Sequence, residues 1–218
     1  MSTSIDSFVD YVMPDVNQCP VPSIEKAVRQ TLIEFCQKTW ILQEAFNWRI
    51  TETDVSEEFE GAFALDFNGI YYSLQYEPVR VLFLAVDGTP IDLVDRRDIE
   101  EINGWEDDTS STPTDWYVIN SHVIHIYPKP TDEFDLYCRV AFKPKRDATI
   151  FWDELYNEWI DTIAAGAKFR LFQIPNKPWT NPELVMVNKA LFDKGLSAGK
   201  IRVRALHLPP SNFKKGWI

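Results

Sequence analysis

The spacing of apolar residues near the start of the chain predicts two helices. Ser4 is a suitable N-cap for a short helix that runs to Met13 and is stopped by Pro14. A loop follows, and Pro22 or Ser23 begins a longer helix that ends near Trp40. Spacings of three and four indicate one buried face on this second helix, formed by Ile24, Ala27, Val28, Leu32, Phe35 and Cys36.

From about residue 45 to residue 145 the pattern changes to short β-rich segments separated by turn residues. The predicted strands are residues 48–53, 61–65, 79–86, 116–119, 123–127 and 134–142. Asp87-Gly88 predicts a hairpin turn, and Asn68-Gly69 predicts a second turn. Residues 92–103 fit a short helix, and residues 104–115 are polar and acidic, which is typical of a loop.

A wide apolar stripe then predicts one helix over residues 153–173. Its acidic first turn and its basic end fit the helix dipole. Gly166, which lies among three alanines, indicates that a partner packs closely against this helix. The stripe consists of Trp152, Leu155, Tyr156, Trp159, Ile160, Ile163, Ala167 and Leu171.

A final helix is predicted from Asn181-Pro182 to about Arg204, because Asn is a favoured N-cap and Pro a favoured first helical residue. Gly195 and Gly199 within it indicate a kink or a close contact. Pro209-Pro210 cannot continue a helix, so residues 206–218 are predicted to be extended.

These elements predict an α+β fold. Residues 1–44 and 148–205 form a helical bundle from both chain ends, and residues 45–147 form an inserted β-rich domain. Residues 206–218 form an extended C-terminal arm. The ends of the chain therefore meet in the bundle.

Composition and charge favour assembly over nucleic-acid binding. The 218 residues include eight Trp, which is typical of large buried faces or interfaces. Residues 1–150 carry 12 Lys and Arg against 27 Asp and Glu, and residues 151–218 carry 10 against 6. An acidic body with a basic end suggests docking between oppositely charged surfaces, although an acidic surface kept for solubility is an open alternative.

Neither a targeting segment nor a membrane span is expected. The first 15 residues are acidic and lack the basic region and long apolar run of a signal peptide. No run of apolar residues reaches the length of a membrane helix. The chain is therefore predicted to be cytosolic or to be assembled from the cytosol.

The residue types that carry catalysis or bind metals do not form a recognisable set. His122 and His125 are three residues apart, which places them on opposite faces of a strand. Carboxylate clusters at 57–58, 100–101 and 106–108 are interpreted as solvated faces. The widely spaced Cys19, Cys36 and Cys138 are interpreted as buried thiols.

The segment at 195–200 (GLSAGK) has the wrong glycine spacing for a phosphate loop and lies within a helical pattern. We therefore predict no catalytic residues, no metal site and no cofactor.

The C-terminal arm combines aromatic, apolar and basic residues, which suits a peptide that anchors to a partner. We predict that it contacts a partner protein or a neighbouring subunit through Leu206, Leu208, Pro209, Pro210, Phe213, Lys214, Lys215, Trp217 and Ile218.

Three segments resemble the head–tail adaptor (connector) proteins of short-tailed bacteriophages, the tail-tubular-protein-A-like group. They are CPVPSIEKAVRQTLIEFCQKTWIL near the start, DWYVINSHVIHIYPKP in the middle and LYNEWIDTIAAGAKFRLFQIPNKPW toward the end. The shared pattern is a helix leading to Trp-Ile/Leu, β segments ending in Pro-x-Pro, and an Ala/Gly-rich helix closed by Pro and Trp.

The resemblance implies a virion protein at the head–tail junction, assembled in the host cytoplasm. About twelve copies would form a ring between the portal and the tail nozzle, and the ring would extend the DNA channel. Genomic DNA would pass through without sequence-specific binding, and the C-terminal arm would reach toward the portal. No membrane partner is expected.

An enzyme remains the alternative. A small-molecule hydrolase could use the acidic clusters together with His122 or His125. This reading requires a histidine and a carboxylate in one pocket.

Overall fold

A computed structural model describes residues 2–50, 63–66, 75–110, 112–120 and 123–207 of the protein. It has a mixed α+β fold, as predicted. The α-helices in these ranges are α1 (Ile5–Val12), α2 (Val21–Thr39), α3 (Arg96–Glu100), α4 (Asp153–Asn157), α5 (Ile160–Phe172) and α6 (Pro182–His207).

The strands in the same ranges are mostly in the middle of the chain. They are β1 (Ser2–Ser4), β2 (Gln43–Ile50), β3 (Phe63–Asp66), β4 (Tyr76–Val86), β5 (Thr89–Pro90), β6 (Asp92–Leu93), β7 (Thr109–Ser110), β8 (Asp115–Asn120), β9 (Val123–Tyr127), β10 (Lys129–Pro130), β11 (Phe134–Pro144) and β12 (Ile150–Trp152).

The chain divides into two compact units. The helical unit comprises Met1–Ile41 and Pro144–Ile218, of which residues 2–41 and 144–207 are described. The β unit is Leu42–Lys143.

The first helices of the helical unit begin and end as their sequences predict. The Ser4 side chain caps α1 by accepting a hydrogen bond from the Asp6 backbone N–H. Pro20 is the N-cap of α2, and Trp40 ends α2 with a left-handed φ of 55°. Antiparallel pairing of β1 with β12 fixes the start of the chain, and the Thr3 hydroxyl donates to Asp153 at 2.5 Å.

The helix predicted over residues 153–173 is in fact two helices. Glu158 ends α4, and Trp159 has φ −122° and ψ 7°, outside the helical region. The break places the Trp159 ring against Phe35 of α2, with the ring centroids 5.0 Å apart. In α5 the five residues from Ile163 to Ala167 are all buried, so this helix is enclosed on several sides and does not bury only one stripe.

The β unit contains two four-stranded sheets, in the orders β2–β11–β4–β5 and β3–β9–β8–β6. Asp87 and Gly88 both have positive φ, 48° and 77°, and join the paired ends of β4 and β5 as the predicted hairpin. In the first part of β11 buried side chains alternate with more exposed ones, and Leu136, Cys138 and Val140 are fully buried. The side chain of Ala141 is also buried, so the alternation ends there.

Among the elements of the β unit that differ from their predicted bounds, β2 and α3 differ most. β2 starts at Gln43, five residues early, because residues 43–50 pair antiparallel with residues 134–141 of β11. The predicted helix at 92–103 is confined to α3, capped by Asp95, because β6 pairs in parallel with β8 just before it. Asn68-Gly69 lies outside the described residues.

Candidate interaction surface

The helix α6 is positioned by the short turn that precedes it. The Thr180 hydroxyl accepts from the Lys177 N–H at 2.9 Å and donates to the Ile174 carbonyl at 2.5 Å. The Asn181 side chain then caps α6, accepting from the Leu184 N–H at 3.2 Å, and Pro182 follows as predicted. Local sequence signals therefore determine where α6 starts.

One face of α6 packs against α2 and α5 through glycine. A Cβ added to Gly195 would overlap the Thr162 side chain of α5, with 2.8 Å to its Cβ. A Cβ on Gly199 would lie 2.8 Å from the Thr39 Cγ2 of α2. The predicted close contacts are therefore present.

The third close contact involves Gly166 of α5. A Cβ there would overlap Thr31 of α2 and would lie 2.8 Å from the Phe192 ring of α6. At these three glycines, α2, α5 and α6 are packed so closely that a residue with a side chain would not fit without a shift.

A second, exposed apolar face runs along the same helix. We call it the outer stripe: Leu184, Val187, Leu191, Lys194, Ala198 and Ile201. Its residues alternate spacings of three and four, which is the pattern of a helix-pairing seam. Leu184, Val187, Leu191 and Ile201 are 40%, 53%, 52% and 66% exposed.

The sequence alone did not single out the outer stripe, although its spacing is visible there. The buried face, which includes Phe192, Leu196 and Val203, also recurs at helical spacing. The two faces can be told apart only when the packing against α2 and α5 is known.

Some charged side chains of α6 form ion pairs within the helical unit and others do not. Arg202 forms ion pairs with Glu154, at 3.3 Å, and with Glu158, and it lies 6.0 Å from the centre of the Trp159 ring. Lys189 pairs with Asp193 at 2.6 Å. Within the described residues, no ion pair is formed by the exposed Lys194, Lys200 or Arg204.

A basic hollow of about 410 Å³ lies elsewhere on the helical unit. Lys26, Arg29, Arg146 and Arg170 contribute to its lining together with Glu34. Partial burial would raise the pKa of Glu34, but the Lys38 hydrogen bond and the charge of Arg170 outweigh it, so the pKa is lowered. The carboxylate therefore stays ionised and holds Arg170, so it offsets part of the positive charge of the hollow.

The predicted arm can be compared with the structure only at its first two residues, 206 and 207. Leu206 lies in the last turn of α6, which continues to His207. The prediction that the arm is extended from residue 206 is therefore wrong at this residue. The helix continues because no proline occurs before residue 209. The other predicted contact residues, Leu208, Pro209, Pro210, Phe213, Lys214, Lys215, Trp217 and Ile218, lie outside the described residues.

His125 lies inside the β unit, only 1% exposed, and stacks on Tyr117 with ring centroids 4.8 Å apart. Burial lowers the pKa of His125 to about 4, and the positive charge of Arg96 acts in the same direction. The imidazole is therefore shielded from solvent and lies against the Tyr117 ring. His122 lies outside the described residues.

Two carboxylates of the acidic clusters have partners other than His125. In the 106–108 cluster, the Asp108 carboxylate accepts a hydrogen bond from the Tyr127 hydroxyl at 2.7 Å. Glu100 pairs with Arg96 on the exposed surface of α3 at 2.5 Å. The 57–58 cluster lies outside the described residues. In the described part, no group of three or more His, Cys, Asp or Glu side chains is arranged to hold a metal ion.

The cysteines and the 195–200 segment have structural roles in the described part of the chain. Cys36 and Cys138 are buried free thiols, and Cys19 is half-buried. Residues 195–200 lie in the interior of α6, where glycines serve helix packing. Among the described helices, none is both long enough and apolar enough to cross a membrane.

Comparison with known proteins adds no relative. No protein-family model matches the chain, and no curated protein matches it. The functional argument therefore depends on the surfaces described above and on the sequence resemblance.

Proposed function

We propose that this protein is a non-enzymatic head–tail adaptor of a short-tailed bacteriophage. About twelve copies form a ring between the portal and the tail nozzle and extend the DNA channel. Helices from both chain ends form the bundle that builds the ring and faces the portal, and the β unit meets the tail. Residues after α6 form the arm that reaches the portal.

The observation that carries the proposal is the outer stripe of α6. A helix that already buries one apolar face has no folding reason to keep a second one, so the stripe is best explained by a partner. Repeated head-to-tail contact between such a surface and a different patch of the next copy closes a ring when the rotation between copies allows it.

The charge of the β unit also supports the proposal. Residues 42–143 carry 21 Asp and Glu against 7 Lys and Arg, a net charge of −14. A strongly acidic surface repels phosphate groups, and this suits a channel through which DNA must slide without binding.

The decisive experiment is to measure the mass of the assembly with and without purified portal. Twelve copies of the 25.3 kDa chain give a ring of about 300 kDa, which light scattering and electron microscopy would detect. A monodisperse monomer in the presence of portal would contradict the proposal.

The arm is tested by truncation. Deleting residues 208–218 leaves every described residue in place, so we expect an unchanged circular dichroism spectrum and the loss of co-sedimentation with portal. Undiminished co-sedimentation would show that another surface contacts the portal.

A further inference from the structure

The outer stripe has the length and spacing to receive a helical segment. From Leu184 to Ile201 it extends about 26 Å at 1.5 Å per residue. Its single charged member, Lys194, lies near the middle, where an anion on the partner would have to meet it.

An acidic counterpart lies on α1 of the same chain. Asp6, Asp10 and Met13 are exposed, and their spacings of four and three place them along one side of α1 and its following turn. We call this side the acidic edge. No ion pair within the described residues involves Asp6 or Asp10.

The charges of the two surfaces are complementary. Within the described residues, Lys194 of the outer stripe forms no ion pair, and neither do Asp6 and Asp10 of the acidic edge. Contact between the outer stripe and the acidic edge would allow the Lys194 ammonium to pair with the Asp10 carboxylate, and it would bury Leu191 and Met13.

We propose that the outer stripe of one copy binds the acidic edge of a second copy, head to tail, and that the Lys194 ammonium pairs with the Asp10 carboxylate. This inference rests on the proposed ring and identifies its subunit interface. Because the two surfaces are different patches of one chain, the contact repeats from copy to copy and forms a closed ring or a filament.

A symmetric pairing of two α6 helices is less favourable. In an antiparallel pair centred on the stripe, the two Lys194 ammonium groups would approach each other across the axis. A parallel pair in register along the stripe would also bring the two Lys194 ammonium groups together. Charge therefore selects the acidic edge over a second copy of the stripe.

The test is a charge swap in the full-length chain. We expect Lys194→Asp and Asp10→Lys each to weaken self-association by about tenfold or more. The double variant, with the charges exchanged, should recover to within about threefold of the native protein. Lys200→Asp makes the same charge change about 120° around the helix and should have little effect.

Cross-linking distinguishes the alternatives without relying on affinity. In a Cys19→Ser background, Leu191→Cys and Met13→Cys chains should cross-link when they are mixed and not when each is alone. Cross-linking of Leu191→Cys with itself would show symmetric pairing and would overturn the proposal.

The remaining outcomes also decide the question. Native rings that persist in Leu191→Glu, whose circular dichroism confirms folding, would refute this interface and leave the proposed adaptor function intact. Loss of portal binding with unchanged self-association in that variant would assign the stripe to the portal. Absence of any ring in the native protein with portal would refute both proposals.

Discussion

The two units of this chain reach a packed interior in different ways. The helical unit brings α2, α5 and α6 together at Gly166, Gly195 and Gly199, where side chains of one helix lie against the glycine backbone of another. The β unit fills the space between its elements with large side chains, such as Ile124, Leu136 and Phe142, on paired strands. Adding one methyl group at a glycine contact of the helical unit should therefore disturb packing more than adding one in the β unit.

The units also differ in charge. The helical unit has 15 Lys and Arg against 12 Asp and Glu, a net charge of +3, and the β unit has a net charge of −14. Basic residues thus collect in the unit that carries the outer stripe, and acidic residues collect in the other. The contrast assigns self-association to the helical unit and repulsion of DNA to the β unit, within the proposed function.

The largest effect should follow from adding a methyl group at the helix contact. Gly195→Ala should lower the free energy of unfolding by about 3 kcal/mol, because overlap with Thr162 outweighs the roughly 1 kcal/mol gain in helix propensity. Urea unfolding followed by circular dichroism measures this change. Ser197→Ala, on the exposed side of α6, should change it by less than about 0.5 kcal/mol.

A second variant tests whether overlap with Thr162 causes the loss of stability in Gly195→Ala. Adding Thr162→Ala to Gly195→Ala should recover part of the lost stability, because it removes two of the three overlapping atoms. If Gly195→Ala were as stable as the native protein, the close-contact account of the helical unit would be wrong.

A smaller effect in the β unit depends on pH. Because the folded-state pKa of His125 is about 4, below the unfolded value of about 6.5, the unfolded chain binds the extra proton as pH falls between these values. His125 should therefore cost the β unit about 2 kcal/mol of stability between about pH 7.5 and pH 5.

His125→Phe isolates this term, since Phe can stack on Tyr117 and does not titrate. Unfolding midpoints at the two pH values should fall less for the variant than for the native protein. Equal pH dependence of the two proteins would show that burial does not disfavour the protonated imidazole.

The smallest effect should come from the surface ion pairs of α6. Arg202→Met should cost about 1 kcal/mol or less, because Arg202 is partly exposed and its pairing with Glu154 and Glu158 is screened. The loss should shrink in about 1 M NaCl. A loss that salt does not reduce would indicate that contact with the Trp159 ring dominates.

Elements with local signals could be predicted from the sequence. The Ser4 cap, the Asn181-Pro182 start of α6 and the Asp87-Gly88 turn each depend on a few neighbouring residues, and all three are present. The glycine contacts were predicted as well, because Gly within a helix costs stability that packing must offset.

Features that depend on distant partners could not be predicted. The apolar stripe continues from Tyr156 to Trp159 and Ile160, so nothing local indicates that Trp159 turns onto Phe35 and interrupts the helix. The helix α3 is likewise shorter than predicted because the residues before it form β6, which pairs with β8 further along the chain. The candidate surface was missed because a buried and an exposed apolar face share one helix and one periodicity.

The order of segments in the chain has a consequence for synthesis. The β unit is one continuous stretch and can fold as soon as residue 143 has left the ribosome. The helical unit cannot, because β1 requires β12 and the face of α2 that bears Thr31 and Thr39 requires α5 and α6. Since the outer stripe lies on α6, near the end of the chain, a chain that stops before α6 lacks the surface with which, in our proposal, it would join a ring.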